Sequence, residues 1–155
     1  MTKFLLTLHV LAAVLTVGPV AVAASMFPKS LRQALGSPDD AEPVSALGTL
    51  HRICRVYAVI GVAVPLFGFA TAGSLGVLGS AWLIASILLT AAAAGVLALL
   101  ILPAQEAALV AVREPGAGSL PRNAGQLAAL TGVFNLLWAT VTVLMIVRPG
   151  STTGA

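Results

Sequence analysis

The chain has 155 residues, of which 59% are hydrophobic and 8% are charged, whereas about 25% of the residues in a typical soluble domain are charged. So few charged side chains cannot cover the surface of a soluble globular protein. The composition therefore excludes a soluble enzyme, a disordered tail and a collagen-like chain. The net charge of +3 comes from eight Lys and Arg residues spread along the chain, without the basic stripe typical of nucleic-acid binding. We expect an integral membrane protein whose partner is the lipid bilayer and not a nucleic acid.

Three long uncharged stretches set the predicted architecture, at residues 4–28, 56–105 and 123–147. A helix crosses the hydrocarbon core of a bilayer in about 20 residues, so the first and third stretches each fit one crossing. The middle stretch is about twice as long and contains a turn signal, Gly73-Ser74-Leu75-Gly76. The sequence therefore predicts an all-α fold, an integral membrane four-helix bundle that forms a single domain over 1–155. The predicted helices span about 4–27, 52–72, 77–102 and 123–147.

Polar segments join these helices. In the predicted loop 28–51 we expect a short interfacial helix over 29–35, followed by a helix cap at Ser37 or Asp39. The second long loop is predicted at 103–122, where a proline and two glycines favour a flexible bend.

Basic residues concentrate on one side of the predicted bundle. Four helices place both termini on one side and both long loops on the other. Because positive residues are retained in the cytoplasm, we expect a multi-pass inner (plasma) membrane protein with both termini outside and loops 28–51 and 103–122 cytoplasmic. Six of the eight Lys and Arg residues lie in or beside those loops: Lys29, Arg32, Arg52, Arg55, Arg113 and Arg122.

The alternative for the N-terminal segment is that residues 1–24 form a cleaved signal peptide, since Lys3, an apolar run and Val22-Ala23-Ala24 have the required order. The apolar run of about 20 residues is longer than a usual signal-peptide core. Cleavage would also place Lys29 and Arg32 outside. The sequence therefore favours a retained transmembrane helix.

His9 lies inside the first predicted helix, where an ionisable residue marks a candidate functional site. It is a candidate metal ligand, haem ligand or proton carrier. The alternative is a histidine that packs between helices and hydrogen-bonds a threonine or a carbonyl. The other histidine, His51, is predicted near the opposite face of the bilayer, on the order of 20 Å away, so one haem iron cannot bind both within one chain. We expect the packing role for His9, with no cofactor and no metal.

His51, Cys54 and Arg55 share one face of the second predicted helix, because residues three and four apart are neighbours on a helix. A His and a Cys at this spacing suit a soft metal, with Met26 as a further ligand. The alternative is a basic collar, in which Arg52 and Arg55 bind lipid headgroup phosphates and Cys54 fills apolar space. We expect the collar.

Asn135 lies in the middle of the 123–147 stretch, and Thr16 and Thr90 lie near the midpoints of two other predicted helices. Together they predict a thin polar layer at the bilayer midplane, beside a helix weakened by Pro65. Transporters place substrate sites at this depth near broken helices. The alternative, which we favour, is an interhelical hydrogen bond that fixes helix register, because no intramembrane acid or base accompanies the amide.

Small residues recur four positions apart, which lets helix backbones approach each other. The pattern favours a compact bundle without selecting its partners. The pairs are Gly61/Pro65, Gly68/Ala72, Ala91/Gly95 and Ala128/Gly132.

The first predicted helix contains the run Leu8-His9-Val10-Leu11-Ala12-Ala13-Val14-Leu15, followed by Val17-Gly18-Pro19. This run resembles the first helix of small bacterial integral membrane proteins in the family catalogued as domain of unknown function 2269. The resemblance covers the length, the four helices and the Arg52/Arg55 start of helix two, and it brings no activity with it. Copper-resistance D-type membrane proteins have a similar Leu-His start, which implies a metal role for His9. This chain lacks the further intramembrane histidines and methionine clusters that would support that role.

Three functional hypotheses follow. The first is a non-enzymatic packing or accessory subunit, which assembles as a homo-oligomer or within a larger membrane complex. The second is a small transporter or channel that uses the Asn135 layer, and the third is a haem or copper protein that uses His9. The sequence contains no zinc-protease motif, phosphate loop or paired intramembrane carboxylate, so we expect no enzyme.

Overall fold

A computed structural model describes residues 1–37, 40–114 and 123–150. Within these ranges the chain is all-α, with no strand, and the predicted four-helix architecture is confirmed. Two of the four long helices are interrupted and are therefore numbered in parts. The elements are α1 (Thr2–Gly36), α2 (Ala41–Ile60), α3 (Ala63–Leu75), α4 (Ala81–Gly95), a π-helical segment (Val96–Ile101), α5 (Leu102–Arg113) and α6 (Ala124–Val147).

Each of the four rods α1, α2–α3, α4–α5 and α6 is long and apolar enough to cross a membrane, which indicates a multi-pass membrane protein. The rods run antiparallel in sequence order, so the bundle has two ends. We call the end that holds Gly36, Ala41, Arg113 and Ala124 the basic end. The end that holds Thr2, Val147 and the turn between α3 and α4 is the terminal end.

The predicted loops 28–51 and 103–122 are wrong for most of their length, because three helices continue through them. Helix α1 runs on to Gly36, α2 begins at Ala41, and α5 ends at Arg113. Residues 29–35 are helical, as expected, but as a continuation of α1. The α2 cap is Asp40, whose Oδ1 accepts from the Glu42 N–H at 3.0 Å, while Asp39 lies outside the described residues.

The distribution of exposed apolar side chains explains this difference. Large exposed apolar residues occur from Phe4 to Met26 on α1, a length of about 33 Å at about 1.5 Å per residue, which matches the hydrocarbon core. Beyond Met26, the described helices at the basic end expose few large apolar residues, among them Leu35 and Val110. Charge gaps therefore mark the ends of the exposed apolar band, not the ends of the helices.

Pro28 does not end α1, although proline removes a helix hydrogen bond and leaves the carbonyl four residues earlier without its donor. That carbonyl belongs to Ala24. The Thr131 hydroxyl of α6 lies 3.4 Å from it and 3.0 Å from the Leu127 carbonyl of its own helix. A neighbouring helix thus compensates in part for the missing bond, as is common in membrane helices.

The other helix irregularities also precede prolines. The break between α2 and α3 falls at Gly61, four residues before Pro65, and the Val64 N–H turns back to the Gly61 carbonyl at 3.0 Å. The π-helical segment contains Leu99, four residues before Pro103. The proline ring clashes with the carbonyl at this spacing, so a wider or broken turn relieves the contact.

The largest buried cluster lies toward the basic end, and we call it the basic-end core. Phe27, Leu31, Leu47 and Cys54 are fully buried within it. There α1 packs on α2 and α6, and α2 packs on α5, whereas α3 at the other end packs mainly on α1. The remaining members of the core are Ala23, Ala24, Ala34, Leu50, Ala104, Ala108, Leu109, Ala124 and Leu127.

Candidate functional site

His9 joins α1 to α3 through a backbone carbonyl. Its Nδ1 lies 2.9 Å from the Val64 oxygen. Because a carbonyl only accepts, Nδ1 carries the proton and donates. In the neutral ring, Nε2 then keeps its lone pair. A carbonyl was one of the two partners expected for a packing histidine.

Gly68 provides the space for the His9 ring. A Cβ atom at this position would lie 3.0 Å from His9 Cε1 and 3.2 Å from Nδ1, closer than carbon atoms ordinarily pack. The glycine and the carbonyl one turn before it therefore form a fitted seat for the imidazole. This seat explains Gly68, the first residue of the Gly68/Ala72 pair, as a contact inside the bundle.

Asn135 is held by α1 at a different depth from the one predicted. Its Nδ2 donates to Ser25 Oγ at 3.3 Å. Thr16 donates to the Ala12 carbonyl of its own helix at 2.6 Å. Within the described residues, neither hydrogen bond joins any two members of the predicted polar layer, which are Thr16, Thr90 and Asn135. The prediction placed the midpoint of helix one on the assumption that this helix ends near residue 27. Because α1 continues to Gly36, a later part of α1 lies beside Asn135 of α6.

Two buried polar atoms near the middle of α6 lack hydrogen-bond partners among the described residues. They are Asn135 Oδ1 and Trp138 Nε1. An unsatisfied buried polar group costs about 1–3 kcal/mol, so two of them on one helix form the least satisfied part of the bundle. The Trp138 ring meets Phe134 edge-on, with centroids 6.3 Å apart, and packs on a cluster that includes Val20 and Ala93.

A polar contact between α2 and α5 lies at the edge of the basic-end core. His51 Nδ1 donates to Gln105 Oε1 at 3.2 Å, and Gln105 Nε2 donates to Cys54 Sγ at 3.7 Å. Gln105 is only 1% exposed. The amide thus connects α5 to both His51 and Cys54 of α2. Met26, the further soft ligand considered from the sequence, is 52% exposed.

Sequence reasoning missed Gln105 because it fell within a predicted loop. The available signal was its position two residues after Pro103, at the point where an apolar helix becomes polar. The sequence analysis also did not single out the indole of Trp138.

Arg52 and Arg55 are exposed on α2, just before the first large exposed apolar residue of that helix, Val56. Their position at the edge of the apolar band suits contact with lipid headgroups. Arg113, at the end of α5, reaches the same helix α2. Its guanidinium Nη2 lies 3.1 Å from the position that a Cβ on Gly48 would occupy. Arg122 lies outside the described residues.

The small-residue pair of α6 faces outward. Ala128 and Gly132 are exposed, as are Gly125 and Ala129, and a Cβ at Gly132 would meet nothing within 4 Å. We call these four residues the smooth α6 face. None of the described contacts between the helices of this chain uses these four residues, whereas Gly68 is part of such a contact.

Across the described ranges, no three His, Cys, Asp or Glu side chains come together as a metal-binding group. No family model, curated protein or solved structure matches the chain. Membership of the family catalogued as domain of unknown function 2269 therefore stays a prediction, and the fold and site geometry carry the functional argument.

Proposed function

We propose that this chain is a non-enzymatic accessory subunit of a membrane assembly, which contacts a neighbouring transmembrane helix through the smooth α6 face. Ala128 and Gly132 face outward, and this orientation is the main support for the contact. Lipid tails are as apolar as leucine, so helices associate in a bilayer through close backbone packing between small residues. Thr131, beside Gly132, contacts Ala24 within the exposed apolar band of α1, whereas Gly125 and Ala128 flank residues of the basic-end core. Small residues at both levels let the backbone of a neighbouring helix approach α6 closely.

The experiment places a photo-crosslinking residue at position 132 and, as the matched control, at position 18. Both are exposed glycines, and a Cβ at either position would meet no atom within 4 Å. Irradiation of native membranes is expected to give a protein adduct from position 132 and lipid adducts alone from position 18. An adduct of twice the chain mass identifies a homo-oligomer, and any other mass identifies a partner subunit. Two results would contradict the proposal: equal yields of protein adduct from both positions, or no protein adduct from either position.

The proposed location is the inner (plasma) membrane, with both termini outside and the basic end in the cytoplasm. The exposed Lys29, Arg32, Arg52 and Arg55 support this orientation through the positive-inside rule. A reporter placed at Asp40 is expected in the cytoplasm, and a reporter after residue 155 is expected outside. The reverse pattern would contradict the orientation and favour a cleaved signal peptide.

A haem or copper role for His9 is the second candidate, and one observation favours it. The Nδ1–H bond to the Val64 carbonyl is the arrangement that orients many metal-binding histidines, since it leaves Nε2 available. Metal analysis and an absorption spectrum of the purified protein test this role. A Soret band or stoichiometric copper that is lost in His9→Ala would establish it, and a colourless, metal-free protein would exclude it.

A further inference from the structure

Helices α2 and α5 pack against each other, and arginines from both helices come together at the edge of the apolar band. Gly48, Arg52 and Arg55 are spaced four and three residues apart, so they lie along one stripe of α2. Arg113 of α5 reaches the same stripe, with Nη2 3.1 Å from the position that a Cβ on Gly48 would occupy. Because Cβ positions four residues apart on a helix are about 6 Å apart, the Arg113 guanidinium lies within about 9 Å of the Arg52 Cβ.

Helix geometry directs the side chains of α2 toward this place. Every Cβ atom is tilted toward the N-terminus of its own helix. Arg52 and Arg55 therefore start toward Gly48, whereas Arg113, on the antiparallel helix, starts in the opposite direction and meets them. Gly48 admits Arg113, since a side chain at position 48 would occupy the space of the guanidinium. We call Gly48, Arg52, Arg55 and Arg113 the arginine cluster.

The carboxylates of the two helices leave this cluster positive. Glu106 lies on the same face of α5 as Arg113 but seven residues earlier, about 10 Å along the axis. Glu114 follows Arg113 directly, and adjacent residues of a helix do not face each other. Glu42 lies ten residues before Arg52, about 15 Å along α2. Like charges repel more strongly beside lipid than in water, so an anion that bridges the guanidinium groups would stabilise them.

Exposed apolar side chains adjoin the arginine cluster on its lipid side. Val56 follows Arg55 directly, Val59 and Ile60 continue this surface along α2, and Val110 lies one turn before Arg113 on α5. Arginine binds phosphate oxygens through its planar fork of N–H groups. A free phosphate ion would use the arginines alone, whereas a phospholipid also covers the apolar residues. The excess positive charge disfavours a zwitterionic headgroup, which carries a cation of its own.

We propose that the arginine cluster binds the phosphate of an anionic phospholipid, whose acyl chains pack along α2 from Val56 toward Ile60. The site goes beyond the assembly function, which does not require a bound lipid. It also differs from a collar of separate arginines, because it assigns Arg113 of α5 and the glycine beneath it to one site. The site is the same whichever leaflet meets the basic end.

Native mass spectrometry of the full chain in detergent tests the proposal, with phosphatidylglycerol or phosphatidylcholine of the same acyl chains as the added lipid. We expect one phosphatidylglycerol per chain, bound in clear preference to phosphatidylcholine. Arg52→Gln and Arg113→Gln should each weaken this binding about tenfold, because each removes charge-assisted hydrogen bonds to the phosphate. Arg32→Gln is the control, since it removes the same charge from an exposed position of α1 beyond the apolar band, and it should leave the binding unchanged.

Gly48→Leu tests the geometry without a change of charge. The leucine side chain would displace the Arg113 guanidinium from α2, so we expect a loss of phosphatidylglycerol binding similar to that of Arg113→Gln. Gly73→Leu is the control, because a Cβ at Gly73 meets nothing within 4 Å. Glycerophosphoglycerol, the headgroup without acyl chains, should not displace the lipid at equal concentration. Equal binding of the two lipids, equal losses in Arg32→Gln and Arg113→Gln, or displacement by the free headgroup would overturn the proposal.

Discussion

The two ends of the bundle are packed by different means. At the basic end, α1, α2, α5 and α6 enclose a core in which Phe27 is 0% exposed. At the terminal end, Phe4 of the same helix is 66% exposed, and contacts such as the His9 seat on Gly68 connect the helices. The hydrophobic effect acts where apolar groups would otherwise meet water. Helices that extend past the lipid therefore need a core. Helices within it are held by smaller clusters, such as those around Phe134 and Trp82, together with small residues and hydrogen bonds.

The largest expected effect comes from the basic-end core. Phe27→Ala should lower the free energy of unfolding by about 3–5 kcal/mol, because it removes a fully buried ring and leaves a cavity. Phe4→Ala is the matched control on the same helix and should change it by less than about 1 kcal/mol. Unfolding in detergent micelles measures both. Equal effects of the two substitutions would remove the distinction between the ends.

Gly68→Ala tests the main fitted contact of the terminal end. The added Cβ would displace His9 from the Val64 carbonyl, so we expect a loss of about 1–3 kcal/mol of stability. Gly73→Ala is the control, since a Cβ there meets nothing within 4 Å. In the His9→Ala background the cost of Gly68→Ala should largely vanish, which a double-mutant cycle measures. An unchanged cost in that background would show that the ring is not what the glycine accommodates.

Gln105→Leu tests the polar contact at the edge of the basic-end core. The substitution keeps a similar volume but leaves His51 Nδ1 without its acceptor, so we expect a loss of about 1–2 kcal/mol. Gln33→Leu, at an exposed position of α1, should be close to neutral. If the two leucine variants unfold at the same temperature, the amide contributes nothing to the basic end.

The smallest expected effect lies at the end of α6. Arg148 has a left-handed φ of 46°, and its guanidinium lies 5.8 Å from the centre of the Trp82 ring. Arg148→Ala keeps the strain and loses the cation–π contact, so it should cost about 0.5–1 kcal/mol. Arg148→Gly loses the same contact but relieves the strain and should be nearly neutral. Thermal unfolding of the pair gives the comparison, and a glycine variant less stable than the alanine variant would contradict it.

The sequence predicted the number and approximate position of the membrane spans, because apolar length is a local property. It also predicted the start of α6 within one residue. There Asn123 and Gln126 form a reciprocal cap, with the Gln126 N–H bonding Asn123 Oδ1 at 2.8 Å. It missed the helix ends at Gly36 and Arg113, because a helix that leaves the lipid keeps its geometry and changes only its side chains.

The candidate site was less predictable, because it depends on register between helices. His9 could be expected to find a carbonyl, but the choice of Val64 requires knowing how α1 lies on α3. Asn135 was paired by depth with Thr16, whereas Ser25 receives its hydrogen bond. A shift of nine residues along α1 corresponds to about 13 Å, and the unpredicted extension of that helix accounts for it.

We infer that α1 leaves the lipid after Met26 and continues in water as part of a packed helical end. Single cysteines placed along α1, at exposed positions such as Val14, Val22, Gln33 and Leu35, test it most directly in a Cys54→Ser background. In permeabilised membranes, a water-soluble maleimide should label positions 33 and 35 and leave positions 14 and 22 unmodified. Lack of labelling at 33 and 35, or labelling of all four positions, would contradict the claim.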